Sequence, residues 1–419
     1  MSLYSAFYAS LSGLSSNANA LGVIGNNLAN LNTVGYKASN ASFQDLFSTA
    51  LTGGTTGGNG DPEQIGLGTT LAAVSQDFSQ GSPSASGTVT NMALQGNGFF
   101  TLKSTSGEAL YTRAGNFSVN TNGYLTDPNG NSVMGWNAVN GKVNPSGTTQ
   151  PVFLNPGATS PPSPTTTISN TTNLNSAATA GTTFTAPIAV YDSLGATHNI
   201  EITYTATATP GTWTTSVSTD DPTVPTVTGY PATIVFNSNG VLTTPASGVN
   251  PTLGAINWSN GATSPALKVN IWSGTPAASG LTGYAEASGT SGTTEDGYAS
   301  GTVSSLAVDS AGNIVGTFTN GQTLTLAQVA VATFSNNNGL SMSGNNTWST
   351  TLSSGAANIG QANSGGRGAI LGANLEGSNV DVATEFTKLI INQNGYQANS
   401  RVITTADTLL QTVISMIQG

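Results

Sequence analysis

A chain of 419 residues is long enough for two or three domains that each bury a core, so folding needs no disulfide or metal staple. Only 6% of residues are charged, Gly numbers 52, and the formal net charge is −10, a balance unlike a cytosolic enzyme's usual surface. The eight basic residues run from Lys37 to Arg401 without clustering, which argues against nucleic acid as a partner, and a single His with no Cys excludes the common zinc sets.

No charged residue precedes Lys37, so the positive n-region of a secretory signal is missing and no cleavage is expected. No apolar run approaches the roughly 20 residues of a spanning helix, and no membrane insertion is expected. The first segment reads as a helix, because Tyr4, Phe7, Leu11, Leu14, Ala18, Leu21, Gly25 and Leu28 follow alternating steps of three and four, a stripe that wants a partner helix. Residues 1–36 hold no Asp, Glu, Lys, Arg or His, whereas an ordinary surface helix carries Lys and Glu for solubility. A helix enclosed on most sides would find such charges costly to desolvate, so the composition points to assembly.

Residues 52–60 are Gly/Thr-rich and read as a flexible connector. Short strand-like stretches follow at 99–103, 188–191, 200–204, 234–236 and 329–334. Asn-Gly pairs at 122–123, 129–130, 140–141, 239–240 and 320–321 punctuate them as tight turns, so the middle reads as antiparallel β-structure. Pro/Thr/Ser-rich residues 155–167 and a stretch at 289–294 read as boundaries. Ser378, Asn379 and Asp381 then supply cap oxygens for a last helix starting near Val380. Its seam runs Val382, Phe386, Leu389, Gln393, Tyr396, Ser400, Ile403, Asp407, Leu410, Ile414 and Ile417. The expected fold class is therefore α+β and multidomain: paired N- and C-terminal helices, coiled-coil-like, with nested, inserted antiparallel β-domains. The expected divisions are 1–36 with 375–419 as a helical core domain, 37–74 as a connector with an extended loop, 75–146 with 297–374 as an inner β-domain, and 147–296 as an outer β-domain.

Catalytic chemistry is poorly supplied. Asp192, Ser193 and His198 are the residue types of a hydrolase triad, but no Gly-x-Ser-x-Gly elbow surrounds Ser193, and His198 reads as an exposed polar residue at a hairpin edge. Glu295 and Asp296 lack a calcium-loop pattern and read as a solvated turn. The Gly-rich stretches 53–60 and 365–368 lack the Lys-Ser/Thr of a phosphate loop. No catalytic, cofactor or metal site is expected, and the chain is not read as an enzyme.

Residues 24–37, Ile-Gly-Asn-Asn-Leu-Ala-Asn-Leu-Asn-Thr-Val-Gly-Tyr-Lys, resemble the N-terminal signature of flagellar rod and hook proteins, carried by Asn26, Asn27, Leu28, Ala29, Asn30, Asn32, Thr33, Gly35 and Tyr36. The likeness continues through 43–47, 66–68, 76–78, 95–100, 111–117 and 122–125, and at the other end through Leu375 to Asp381 and Asn394 to Ser400. Residues 191–195, 296–301 and 336–340 resemble hook segments, and the large insertion favours hook over the shorter distal rod protein. The resemblance implies a subunit that polymerises with itself into a curved, flexible, hollow tube carrying torque from motor to filament. It implies export through the flagellar type III apparatus to an extracellular site, with the distal rod protein, the hook cap scaffold and the hook-filament junction proteins as partners. A distal rod or other axial protein is the alternative within the apparatus, and a secreted β-rich adhesin or polysaccharide-binding protein is the alternative outside it.

Overall fold

The computed structural model describes residues 3–50, 64–155, 157–224, 226–273 and 278–418, so the connector expected at 52–60 lies outside the described residues. The chain divides into two compact units, one of Met1–Pro156, Leu306–Gly316 and Leu324–Gly419, the other of Gly157–Ser305 and Thr317–Thr323.

In the first unit, strand Phe99–Lys103 pairs antiparallel with Ala109–Thr112, Ser132–Asn137 and Thr323–Thr333. Side chains alternate across a strand, so neighbouring residues enter different cores. Phe100 meets Phe117 edge-on at 5.1 Å in a core with Met92, Leu94, Val329 and Val331. Phe99 turns the other way, into an aromatic cluster with Phe78, Phe334 and Trp348 at centroid distances of 5.5–5.6 Å. Gly115 abuts the Phe100 core, where a Cβ would lie 1.6 Å from the Met92 carbonyl oxygen and 3.2 Å from Phe100 Cε2.

The second unit contains a five-stranded antiparallel meander over Thr183–Tyr191, Thr197–Ala206, Thr212–Thr219, Thr233–Phe236 and Leu242–Thr244. Alternation places Ile188, Val190, Ile200, Ile202, Tyr204, Trp213, Val217 and Ile234 inside, with Ile188 opposite Ile200 and Ile202 opposite Val217. A second sheet, centred on Thr167–Asn173, adds Ile168, Leu253, Leu267, Val269 and Leu281 to the same core.

The expected fold class is corrected on three counts. The chain is mostly β-sheet rather than an α+β mixture: α1 (Leu3–Ala29) and α2 (Val382–Gln418) are the only α-helices among the described residues. The β-structure is not wholly antiparallel, because Thr167–Asn173 runs parallel to both Leu267–Asn270 and Leu281–Thr282. The helices also form no coiled-coil seam. The buried face of α1 is Ser10, Gly13, Ser16, Ala20, Ile24 and Asn27, rotated away from the apolar stripe. Its approach to α2 is through small and polar groups: a Cβ at Gly13 would lie 2.7 Å from Asn399 Nδ2, and one at Gly395 would lie 3.0 Å from Asn17 Oδ1. The physical reason is a second neighbour. Strands Ser39–Asp45 and Thr69–Gln76 form an antiparallel hairpin against α1, where Ser12 Oγ accepts from Thr69 N (3.1 Å) and Ser16 Oγ donates to Thr69 O (3.4 Å). Hydrogen bonding at that range suits short side chains facing the hairpin, and Leu14, Leu21 and Leu28 are left half-buried and Leu11 exposed.

Truncation should separate core from surface. Ile202→Ala is expected to destabilise the chain by about 2–5 kcal/mol in urea unfolding, and Gly115→Ala by about 1–3 kcal/mol or more through overpacking. Leu352→Ala, at a fully exposed residue, should stay within about 0.5 kcal/mol.

Candidate functional site

The residues of interest gather where the two ends of the chain meet inside the first unit. An α-helix leaves its last carbonyls without intrahelical partners, and the Asn-rich run at the end of α1 supplies substitutes. Asn30 N donates to Asn26 O and Asn27 O, Asn30 Nδ2 donates again to Asn26 O at 2.9 Å, and Thr33 Oγ1 donates to Asn30 Oδ1 at 3.0 Å. Gly35 then turns the chain with φ +69°, a conformation natural to glycine, and its N–H donates to Glu376 O at 2.8 Å.

Asn27 is fully buried and fully engaged. Its Oδ1 accepts from Ser39 N (2.9 Å) and Tyr36 Oη (3.2 Å), and its Nδ2 donates to Ser39 O (2.8 Å) and Glu385 Oε2 (3.1 Å). One amide thus joins α1, the strand after it and the first turn of α2. The Glu385 carboxylate also takes Lys388 Nζ at 2.8 Å, and it sits near the N-terminus of α2, where the helix dipole favours an anion. Burial, and to a lesser degree the Glu385 charge, push the Tyr36 hydroxyl above the usual phenol range, which keeps its proton available to Asn27. Asp381 caps α2 by accepting from Thr384 N at 2.7 Å, and the helix opens at Val382, two residues later than the sequence suggested.

The C-terminal signature lies directly against the N-terminal one. Asn379 Oδ1 accepts from Ala38 N (2.8 Å) and its Nδ2 donates to Asp77 O (2.7 Å), while Val380 packs with Tyr36, Ala38 and Leu31. Beneath them Glu376, fully buried, holds two cations. Its Oε1 takes Lys37 Nζ at 2.6 Å and Gly81 N at 3.0 Å, and its Oε2 takes Arg113 Nη1 at 3.5 Å. Lys37 Nζ also donates to Ser79 O at 2.6 Å. Burial pulls both the Lys37 ammonium and the Arg113 guanidinium below their ordinary values, with Glu376 opposing the shift in each.

The sequence-derived candidates divide unevenly. Asn27, Gly35 and Tyr36 are buried in the junction, Asn30 and Thr33 are partly buried in its cap, Asn26 is exposed but hydrogen-bonded to Tyr36 Oη, and Ala29 and Asn32 are exposed. Of the seam residues, Phe7, Leu14, Leu21, Leu28, Leu389, Ile403 and Leu410 are half-buried, while Leu11, Val382, Phe386, Tyr396 and Ile414 are exposed. The Ile417 side chain lies outside the described residues. The carboxylates Glu376 and Glu385 and the cations Lys37 and Arg113 were not assigned roles from sequence. The available signal was scarcity, since a Lys and an Arg inside signature segments stand out in a chain with eight basic residues.

In the second unit, His198 is corrected from an exposed edge residue: its ring stacks on Trp258 at 3.8 Å and Nε2 pairs with the buried Asp192 at 3.0 Å. Ser193 Oγ instead accepts from Thr263 N at 3.1 Å, so the three residues do not form a nucleophile relay. Among the described residues no cluster of three metal-ligating side chains is present, and no helix is long and apolar enough to cross a membrane.

Removing the shared groups should be costly. Asn27→Ala is expected to lose about 1–3 kcal/mol by stranding buried partners, and Asn27→Asp more, because a second carboxylate would face Glu385. Glu376→Gln should lose about 3–5 kcal/mol, since two buried cations would face no anion. Urea midpoints of the full chain measure all three.

Four family models match the chain: flagella basal body rod protein at residues 7–37, flagellar hook protein FlgE/F/G D1 domain at 93–174, flagellar basal body protein FlaE D2 domain at 154–298, and flagellar basal body rod FlgEFG protein C-terminal at 372–416. Among curated relatives, the flagellar hook protein FlgE of Treponema pallidum is 34% identical, covering 98% of each chain. That of Escherichia coli is 32% identical, covering 98% of this chain and 100% of the relative. The crystal structure of Helicobacter pylori flagellar hook protein FlgE2 is similar at a TM-score of 0.45 and 14% identity, covering 68% of this chain and 98% of that one. With matches at both signatures and relatives aligned end to end, this chain belongs to the flagellar hook protein family.

Proposed function

We propose that the chain is a structural subunit of the bacterial flagellar hook, working by self-polymerisation into a curved, flexible, hollow tube that passes motor torque to the filament. One observation carries the physical side of this reading. The junction between the chain ends is closed by buried hydrogen bonds and ion pairs, yet the outer faces of both helices keep large apolar residues uncovered, among them Tyr8, Leu11, Phe386, Ile390, Ile391 and Met416. A closed root with uncovered apolar arms suits a subunit whose helices are completed by other copies, because exposed apolar area is stabilised by burial in a partner. The seam positions, from Phe7 to Leu28 and from Val382 to Ile417, then act between subunits.

The finer parts of the reading rest on the resemblance of the chain to flagellar hook proteins. The chain is divided in this reading into a helical core domain (1–36 and 375–419), a connector (37–74), an inner β-domain (75–146 and 297–374) and an outer β-domain (147–296). Export through the flagellar type III apparatus, assembly beneath a hook cap, and end contacts with the distal rod and hook-filament junction proteins complete it. The working parts are packing surfaces, with no catalytic role.

Electron cryo-microscopy of the assembled protein tests this. Curved tubes with α1 and α2 lining a channel are expected, whereas straight tubes would favour a rod subunit. Phe386→Ser with Ile391→Ser should leave the isolated chain's unfolding midpoint nearly unchanged and abolish tubes. Normal tubes from that variant would count against the packing role of the helices.

A further inference from the structure

Arg113 is the least satisfied member of the Glu376 cluster. Lys37 Nζ has two partners at 2.6 Å, whereas Arg113 reaches Glu376 Oε2 only at 3.5 Å, and its buried Nε has no hydrogen-bond partner. Its guanidinium carbon lies 5.3 Å from the centroid of the Phe99 ring, within cation–π range. The carboxylate is unevenly used in turn: Oε1 serves Lys37 and Gly81 N, and Oε2 has only the long contact. An ordinary charge-assisted bond is about 2.7–2.9 Å, so a shift of well under 1 Å would close it.

The backbone that carries Arg113 touches the loop from which α1 departs. A Cβ at Gly35 would lie 2.5 Å from Ala114 N and 2.6 Å from the Arg113 carbonyl carbon. Beside this contact Thr112 Oγ1 donates to Asn346 O at 2.8 Å, and Asn346 Nδ2 donates to Val34 O at 2.9 Å. Movement of the Arg113 segment is therefore felt at Val34 and Gly35.

We propose that Arg113 is a two-position strut. In one position the guanidinium rests on Phe99 and leaves the carboxylate to Lys37; in the other it closes on Glu376 Oε2, and the displacement reaches the root of α1 through Gly35. The Phe99 ring face and Glu376 Oε2 are the two seats: the guanidinium lies over the ring, and its long contact leaves Oε2 open to a closer bond. The purpose of the movement, a small compliance at the helix root as a tube bends, rests on the hook reading. The movement itself belongs to the single chain.

The chain has three arginines, Arg113, Arg367 and Arg401, so the Nε–Hε signals of the full-length protein labelled with 15N-arginine are few, and Arg113→Lys identifies one by its loss. The Arg113 signal is expected to show relaxation dispersion on the microsecond-to-millisecond scale. Phe99→Leu, which removes the aromatic seat, should abolish it. Where that variant does not fold, Glu376→Asp supplies the same test, because a shortened carboxylate leaves only the Phe99 seat. An Arg113 signal without dispersion in the wild-type chain, or dispersion that survives loss of a seat, would overturn the strut. Failure of the wild-type chain to form tubes would sink the hook reading and leave this result standing, so the two failures are distinguishable.

Discussion

The first unit depends on one buried carboxylate. Glu376 joins the segment after α1, the loop after strand Ala109–Thr112 and the approach to α2, using side-chain bonds to Lys37, Arg113 and Gly81 N and a backbone bond to Gly35. Buried charge is expensive unless paired, and replacing such a cluster by apolar residues of similar volume is often neutral or stabilising. What the ions supply is direction. A carboxylate with donors on both oxygens accepts a narrow set of geometries, and apolar side chains of the same volume would accept many. Directionality matters where two long helices leave one point, since a small angular change at the root grows along 27 residues of α1 and 37 of α2.

Asn27 extends the same logic. Its amide offers donors and an acceptor in one plane, and all are used across three segments, so the end of α1, the strand after it and the start of α2 are held in register by a neutral group. Beyond this point the helices change character. They approach closely at Gly13, Asn17, Gly395 and Asn399, while Leu11, Phe386, Ile390, Ile391 and Ile414 stay exposed. The closure of the junction and the uncovered helix faces are thus two sides of one allocation of residues: polar groups gather at the root, and apolar groups such as Phe386, Ile390 and Ile391 stay on the outer faces.

Chemistry in the second unit follows a different rule. Asp192, His198, Trp258 and Asn260 form a compact network in which the carboxylate takes backbone donors from Leu194 and Ala196 as well as both side chains. Those bonds, set against the opposing effect of burial, hold Asp192 below the usual carboxylate range. The network ties the turn of the hairpin Thr183–Ala206 to a neighbouring loop, through residues that in sequence resemble part of a catalytic set.

The sequence by itself determined the positions of both helices, the strand stretches at 99–103, 188–191, 200–204, 234–236 and 329–334, and the tight turns, because periodicity and turn chemistry are local: Gly123, Gly130, Gly141, Gly240 and Gly321 all take the positive φ that their Asn-Gly pairs suggest. It also carried the two signatures that place the chain in its family. Tertiary structure alone decided which face of α1 is buried. A stripe of Leu and Phe looks inward by period, but the hairpin at Ser39–Asp45 and Thr69–Gln76 offers backbone partners that Ser12, Ser16 and Asn27 take, and no periodicity encodes that competition. It also decided that Lys37, Arg113 and Glu376, separated by up to 339 positions, share one buried site, since a charge pair across such a distance leaves no spacing to read.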